Sequence, residues 1–131
     1  MKPICNSPTG RENMFEVKIE SYFSAAHHLL NYEGECENQH GHNWKVEVFA
    51  QGNELDKSNI FIDFKILKKA LNNVLDRLDH KDLNQLKEFK NQSPSSEMIA
   101  RFIFKELKME ISQISKVCVW ETERARACYW E

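Results

Sequence analysis

The chain has 131 residues, 18 Lys and Arg against 20 Asp and Glu, and a formal net charge of −2. That length suits one domain with one core and is too short for two. Acids and bases are interspersed, so no basic face for nucleic acid or membrane is present, and no apolar run reaches the length of a membrane span.

Residues 1–13 carry no apolar stretch of the secretory type and read as a flexible N-terminal segment ahead of a single domain over 14–131. Four cysteines, at 5, 36, 118 and 128, have no tight spacing, which predicts reduced thiols in a cytoplasmic protein rather than a disulfide framework. Phe15, Val17, Ile19 and Phe23 alternate with polar residues at the period of a half-buried strand. Trp44, Val46, Val48 and Ala50 repeat the pattern. The two stretches should pair antiparallel across a loop much longer than a hairpin requires, and long loops in small domains usually carry function.

Asp63 is placed to cap a helix with an apolar stripe of Phe64, Leu67, Leu71, Val74, Leu75 and Leu78. A second helix begins near Ser93-Pro94, with Pro in its first turn, and should bury Ile99, Phe102, Ile103 and Leu107. Lys116–Glu121 and Ala125–Trp130 then read as two strands about a polar corner. Strand, strand, helix, helix, strand, strand is the order of an α+β fold: a four-stranded antiparallel sheet with two helices on one face. Its two open edges would be closed by further copies, which predicts a homo-oligomer.

The loop between the first two strands holds the chemistry. Four of the five histidines fall between positions 27 and 42. In a strand, residues two apart share a face, so His40 and His42 aim two imidazoles at one point, with Gly41 adding no bulk between them. His27-His28, at the end of the first strand, offers a third. Three imidazoles with an open position describe a catalytic zinc site, and this donor set favours zinc over copper or iron. Cys36 either ligates the metal or stands beside it as an acid/base. Asp79-His80 follows the first helix; the carboxylate either tunes the imidazole, or the histidine interacts with the helix dipole. Glu121 ends the run Val117-Cys118-Val119-Trp120 and is either a solvated strand end or an acceptor for paired N–H donors of a guanidine-like ring. Glu97 is accounted for by its place near a helix N-terminus.

Phe23-Ser24-Ala25-Ala26-His27, the Cys-x-x-x-His-Gly-His run ending at His42, Ile62-Asp63-Phe64, Leu78-Asp79-His80, Leu83-Asn84, Ser93-Pro94-Ser95-Ser96-Glu97 and Trp120-Glu121-Thr122 together resemble the 6-pyruvoyl-tetrahydropterin synthase/6-carboxytetrahydropterin synthase family, from about residue 14 to 130. The resemblance implies the tunnelling fold, in which trimers close into a barrel and commonly pair into hexamers, with pterin sites between subunits. It implies zinc on His27, His40 and His42, Cys36 as proton-abstracting thiolate, Asp79 and His80 as the second acid/base pair, and Glu121 as anchor of the pterin ring. The implied substrate is 7,8-dihydroneopterin triphosphate. Family members serving queuosine and other deazapurines leave a 6-carboxy group, the animal-type branch leaves a 6-pyruvoyl group, and a folate-directed branch releases 6-hydroxymethyl-dihydropterin. Compact length favours the carboxy-forming branch, while the Cys36-Glu37 pair resembles members proposed to combine activities and marks Glu37 as branch-determining. A non-catalytic zinc- or pterin-binding subunit would be a different class of protein, and it would need neither Cys36 nor Asp79 and His80.

Overall fold

Alternating apolar residues build the centre of the molecule. In the computed structural model, which describes residues 13–33 and 37–131, β1 (Phe15–His27) and β2 (His40–Gly52) pair antiparallel along their whole lengths, from Phe15 opposite Gly52 to His27 opposite His40. This register places Ile19, Phe23 and Ala25 on the same face as Trp44, Val46, Val48 and Ala50, all of them buried. Residues 1–12, with Cys5, and residues 34–36, with Cys36, lie outside the described residues.

The first helix, α1 (Phe64–Leu75), starts where Asp63 accepts a hydrogen bond from the Lys65 amide at 2.9 Å. Its buried stripe is Leu67, Ala70, Leu71, Val74 and Leu75; Phe64 is exposed, and Leu78 is buried only after the helix has ended. The second, α2 (Ser96–Glu110), begins about two residues later than predicted. Ser95 Oγ accepts from the Met98 amide and caps it, which leaves Pro94 ahead of the helix instead of in its first turn. Ile99, Ala100, Ile103, Phe104 and Leu107 form its inner face. Phe104 takes the core position, and Phe102 packs edge-on against Phe89 at the rim.

The sheet departs from the predicted four antiparallel strands. Among the described residues it has five, in the order β3-β1-β2-β4-β5, with β4 at Ile114–Thr122 and β5 at Ala125–Tyr129. The extra member, β3 (Lys81–Asp82), pairs parallel to Ala25 and Ala26 of β1, so the sheet is mixed. Two residues are too few for a period-2 pattern, which is why this strand leaves no trace in the sequence. Both helices cover one face, where they share a continuous core with Trp44, Val46, Val48, Val117 and Val119. No helix among the described residues is long and apolar enough to cross a membrane.

The helix-free face carries Lys18, Glu47, Trp120 and Arg126. Glu47 is only 7% exposed, and burial alone would raise its pKa. Donation from Trp120 Nε1 at 2.6 Å and Lys18 Nζ at 3.2 Å outweighs that penalty and holds it below its ordinary value. On the same face Cys118 and Cys128 sit directly opposite each other and are joined by a disulfide. That corrects the expectation of reduced thiols for this pair. A separation of ten residues has no motif, and only the register set by the tight turn at Glu123-Arg124 brings the two together.

Candidate metal and pterin site

Three imidazoles meet at one end of the β1–β2 ladder. His27, His40 and His42 lie on the helix-covered face, with ring centroids 4.7 Å apart for His27–His40 and His40–His42 and 5.3 Å for His27–His42. Trp44, fully buried and one step further along the same face, packs edge-on against His27 and His42 and donates its Nε1–H to the Ala25 carbonyl. Gly41, between the ligand pair, is not required by space: a Cβ there would meet only the Ala25 carbonyl oxygen, at 3.9 Å.

Backbone carbonyls orient two of the rings. A carbonyl can only accept, so His27 Nδ1 donates to Pro94 O at 2.8 Å and His40 Nδ1 to Asn38 O at 3.0 Å. Each leaves its Nε2 free for the site, as metal-ligating histidines commonly do. His27, 1% exposed, and His42 both have a buried Nε2 with no hydrogen-bond partner. A cation held among the three rings would satisfy both nitrogens. Burial lowers the pKa of His42, helped by the positive potential of His27 and His40 and opposed by Glu121, so its lone pair is available at neutral pH.

The fourth member of the cluster is Glu121. Its Oε2 lies 3.1 Å from His27 Nε2 and 3.4 Å from His42 Nε2, and one donor atom from each of the four residues falls within 4.8 Å of the others. Strand alternation explains its position. Val117 and Val119 face the helices and Cys118 and Trp120 the opposite side, so Glu121 falls on the helix-covered face, and the pairing of Trp120 with Lys45 sets it beside the His42–Trp44 end of β2. The sequence shows Glu121 at the end of a strand; the β2–β4 register that sets it beside the histidines is a matter of pairing alone. Three imidazoles with a carboxylate make a donor set suited to zinc.

Glu37 borders the same cluster. Its amide donates to Leu29 O, its Oε1 accepts from the Leu29 amide at 3.0 Å, and that oxygen lies 3.9 Å from His40 Nδ1. Asn84 clamps the chain just beyond His27, accepting from the His28 amide and donating to the His28 carbonyl. His28 itself stays out of the cluster. Pro94 and Asn38 act through backbone carbonyls, so their side chains carry no sequence signal for the role. A cleft of about 560 Å³ lies at the opposite end of the strands, among Met14, Gln51 and Trp130, away from this cluster.

Asp79 and His80 form a separate pair at the β1 edge. Asp79 Oδ1 accepts from the Ser24 amide at 2.8 Å, its Oδ2 lies 3.0 Å from His80 Nδ1, and the His80 amide donates to Ser24 O at 2.6 Å. His80 adopts a left-handed φ of 60° and its side chain is 82% exposed. The Ser24 amide, followed by His80, holds the Asp79 pKa below its ordinary value. A carboxyl depressed in the folded state stabilises it above the unfolded pKa, and that contribution fades as pH falls through the folded value. Asp79→Asn should therefore unfold at lower denaturant than wild type at pH 7, with the gap closing in acid. Denaturant titrations at several pH values would measure this; a gap independent of pH would contradict the assigned interaction.

The sheet thus brings three histidines and a carboxylate to one point where a cation could be held, with an acid–imidazole pair at its edge. Residues 16–131 match the 6-pyruvoyl tetrahydropterin synthase family. The 6-carboxy-5,6,7,8-tetrahydropterin synthase of Haemophilus influenzae is 34% identical, with 90% of this chain and all of that protein covered. The dihydroneopterin monophosphate aldolase of Pyrococcus furiosus is 32% identical over 76% of this chain and 82% of its own length. Among solved structures, 6-pyruvoyl tetrahydropterin synthase from Caenorhabditis elegans superposes with a TM-score of 0.82 at 28% identity, covering 92% of this chain and 98% of that one. The chain belongs to the 6-pyruvoyl tetrahydropterin synthase family.

Proposed function

We propose that this chain is a zinc-dependent 6-carboxy-5,6,7,8-tetrahydropterin synthase. It acts on 7,8-dihydroneopterin triphosphate, with elimination of triphosphate and cleavage of the side chain, in the cytoplasmic synthesis of queuosine or related deazapurines. The observation that carries the reading is the convergence of His27, His40 and His42 with two buried, unpartnered Nε2 atoms. The full-length similarity to the Haemophilus influenzae enzyme supports the carboxy-forming branch.

His27, His40 and His42 would hold the zinc, which when bound supplies Lewis acidity to side-chain oxygens of the substrate. Cys36 takes a proton from the substrate side chain as thiolate. His80, oriented by ionised Asp79, delivers or removes the second proton. Glu121 accepts two N–H donors of the pterin ring, a bidentate match that a single carboxylate can make. The 82% exposure of His80 at a sheet edge suits a site completed between subunits of a trimer or hexamer.

A second reading is favoured by Glu37. Its carboxylate stands beside the histidine cluster, and a relative over most of the chain is a dihydroneopterin monophosphate aldolase. In that case Glu37 shares the proton chemistry with Cys36 and a 6-hydroxymethyl product is released. A 6-pyruvoyl product is the remaining branch. Incubation with 7,8-dihydroneopterin triphosphate and mass analysis of the product decides among them. The 6-carboxy compound is expected from wild type, and Glu37→Ala should suppress any hydroxymethyl by-product. A pyruvoyl or hydroxymethyl main product would reject the carboxy-forming assignment.

A further inference from the structure

We infer that Glu121 is an exchangeable fourth ligand of the metal, closing its open position in the substrate-free enzyme and leaving it when substrate arrives. The inference rests on the zinc reading of the histidine cluster and adds a role to Glu121 beyond holding the pterin ring. A carboxylate that served the ring alone would have no reason to stand among the imidazoles. Glu121 Oε2 is 3.1 Å from His27 Nε2 and 3.4 Å from His42 Nε2. Metal–nitrogen and metal–oxygen bonds of about 2.0–2.2 Å in a tetrahedron place ligand atoms about 3.3–3.5 Å apart, close to both separations.

Hydrogen bonding does not account for the approach. Neither His27 Nε2 nor His42 Nε2 has an aligned partner, even though the carboxylate oxygen is within reach of both. His27 already spends its Nδ1 proton on the Pro94 carbonyl, so its Nε2 presents a lone pair toward Glu121. Two facing lone pairs repel unless a proton or a metal cation lies between them, and the misalignment of donor and acceptor disfavours the proton. Strand alternation and the β2–β4 register fix the direction of approach, and the side chain remains 33% exposed on a three-bond stem, free to swing away. In the free enzyme the carboxylate would then occupy the place that substrate oxygens later take. Once displaced, the same group is available to the ring.

Two measurements on the whole protein test this. Zinc(II) affinity is determined by competition with a chromophoric chelator for wild type, Glu121→Gln and Glu121→Asp, the last keeping the charge on a shorter stem. Loss of an outer partner alone already weakens metal sites about 10–100-fold, so loss of a direct ligand should weaken zinc binding by at least about tenfold in both variants. Azide is then titrated into the cobalt(II)-substituted proteins and followed by visible absorption. Azide should bind Glu121→Gln more tightly than wild type, because the carboxylate no longer competes. Zinc affinity within about twofold of wild type in the variants, or equal azide binding in all three, overturns the inference while leaving the histidine site standing. A folded wild type that takes up no zinc overturns the histidine reading, and this inference with it.

Discussion

Cys36→Ala is expected to retain one zinc per chain and lose turnover by about 10²–10⁴-fold, the usual worth of a positioned general acid or base. His40→Ala is expected to lose the metal itself, and turnover with it. The contrast follows from the donor set: three imidazoles and a carboxylate would complete a tetrahedral site without the thiol as a ligand. Metal content by elemental analysis, set beside triphosphate release from 7,8-dihydroneopterin triphosphate, gives both readouts. Zinc lost from Cys36→Ala would make the thiol a ligand and remove its assignment as a base. Zinc retained at full affinity by His40→Ala would remove that histidine from the site.

Trp44→Ala should cost about 3–5 kcal/mol of unfolding free energy, the range for deleting a fully buried large aromatic side chain. Trp44 has no exposed surface, stacks on Phe23 with ring centroids 5.8 Å apart, and backs His27 and His42 edge-on. The site shares this packing with the core, so the same substitution should also weaken zinc binding, although Trp44 touches no metal. Trp44→Phe keeps most of the ring contact and strands the Ala25 carbonyl, at a cost of about 1 kcal/mol. Denaturant titration and chelator competition on both variants check this. A destabilised Trp44→Ala with wild-type zinc affinity would show that the rings are held by their own hydrogen bonds alone.

Much of the fold can be read directly from periodicity. The alternation of β1 and β2 predicts their faces, and the 3.6-residue spacing predicts both helices, because each pattern records which side of an element meets the core. Capping is legible at Asp63, where the side chain and the helix start are local. At Ser93–Ser95 it is misread, since Pro94 is acceptable at either of two positions and only the Ser95 Oγ contact decides between them. The histidine cluster is legible because two of its members share a strand face and the third ends the paired strand.

What the sequence determined by itself was therefore the local order: which residues alternate, which cap, and which three imidazoles could share a face and an ion. Tertiary structure alone decided the rest. The two-residue strand β3, the Cys118–Cys128 disulfide, the Pro94 and Asn38 carbonyls behind the histidines, and the β2–β4 register that sets Glu121 beside His27 and His42 all arise from the meeting of distant segments. Periodicity reports burial along one element. It carries no record of register between elements, and register sets which distant side chains meet.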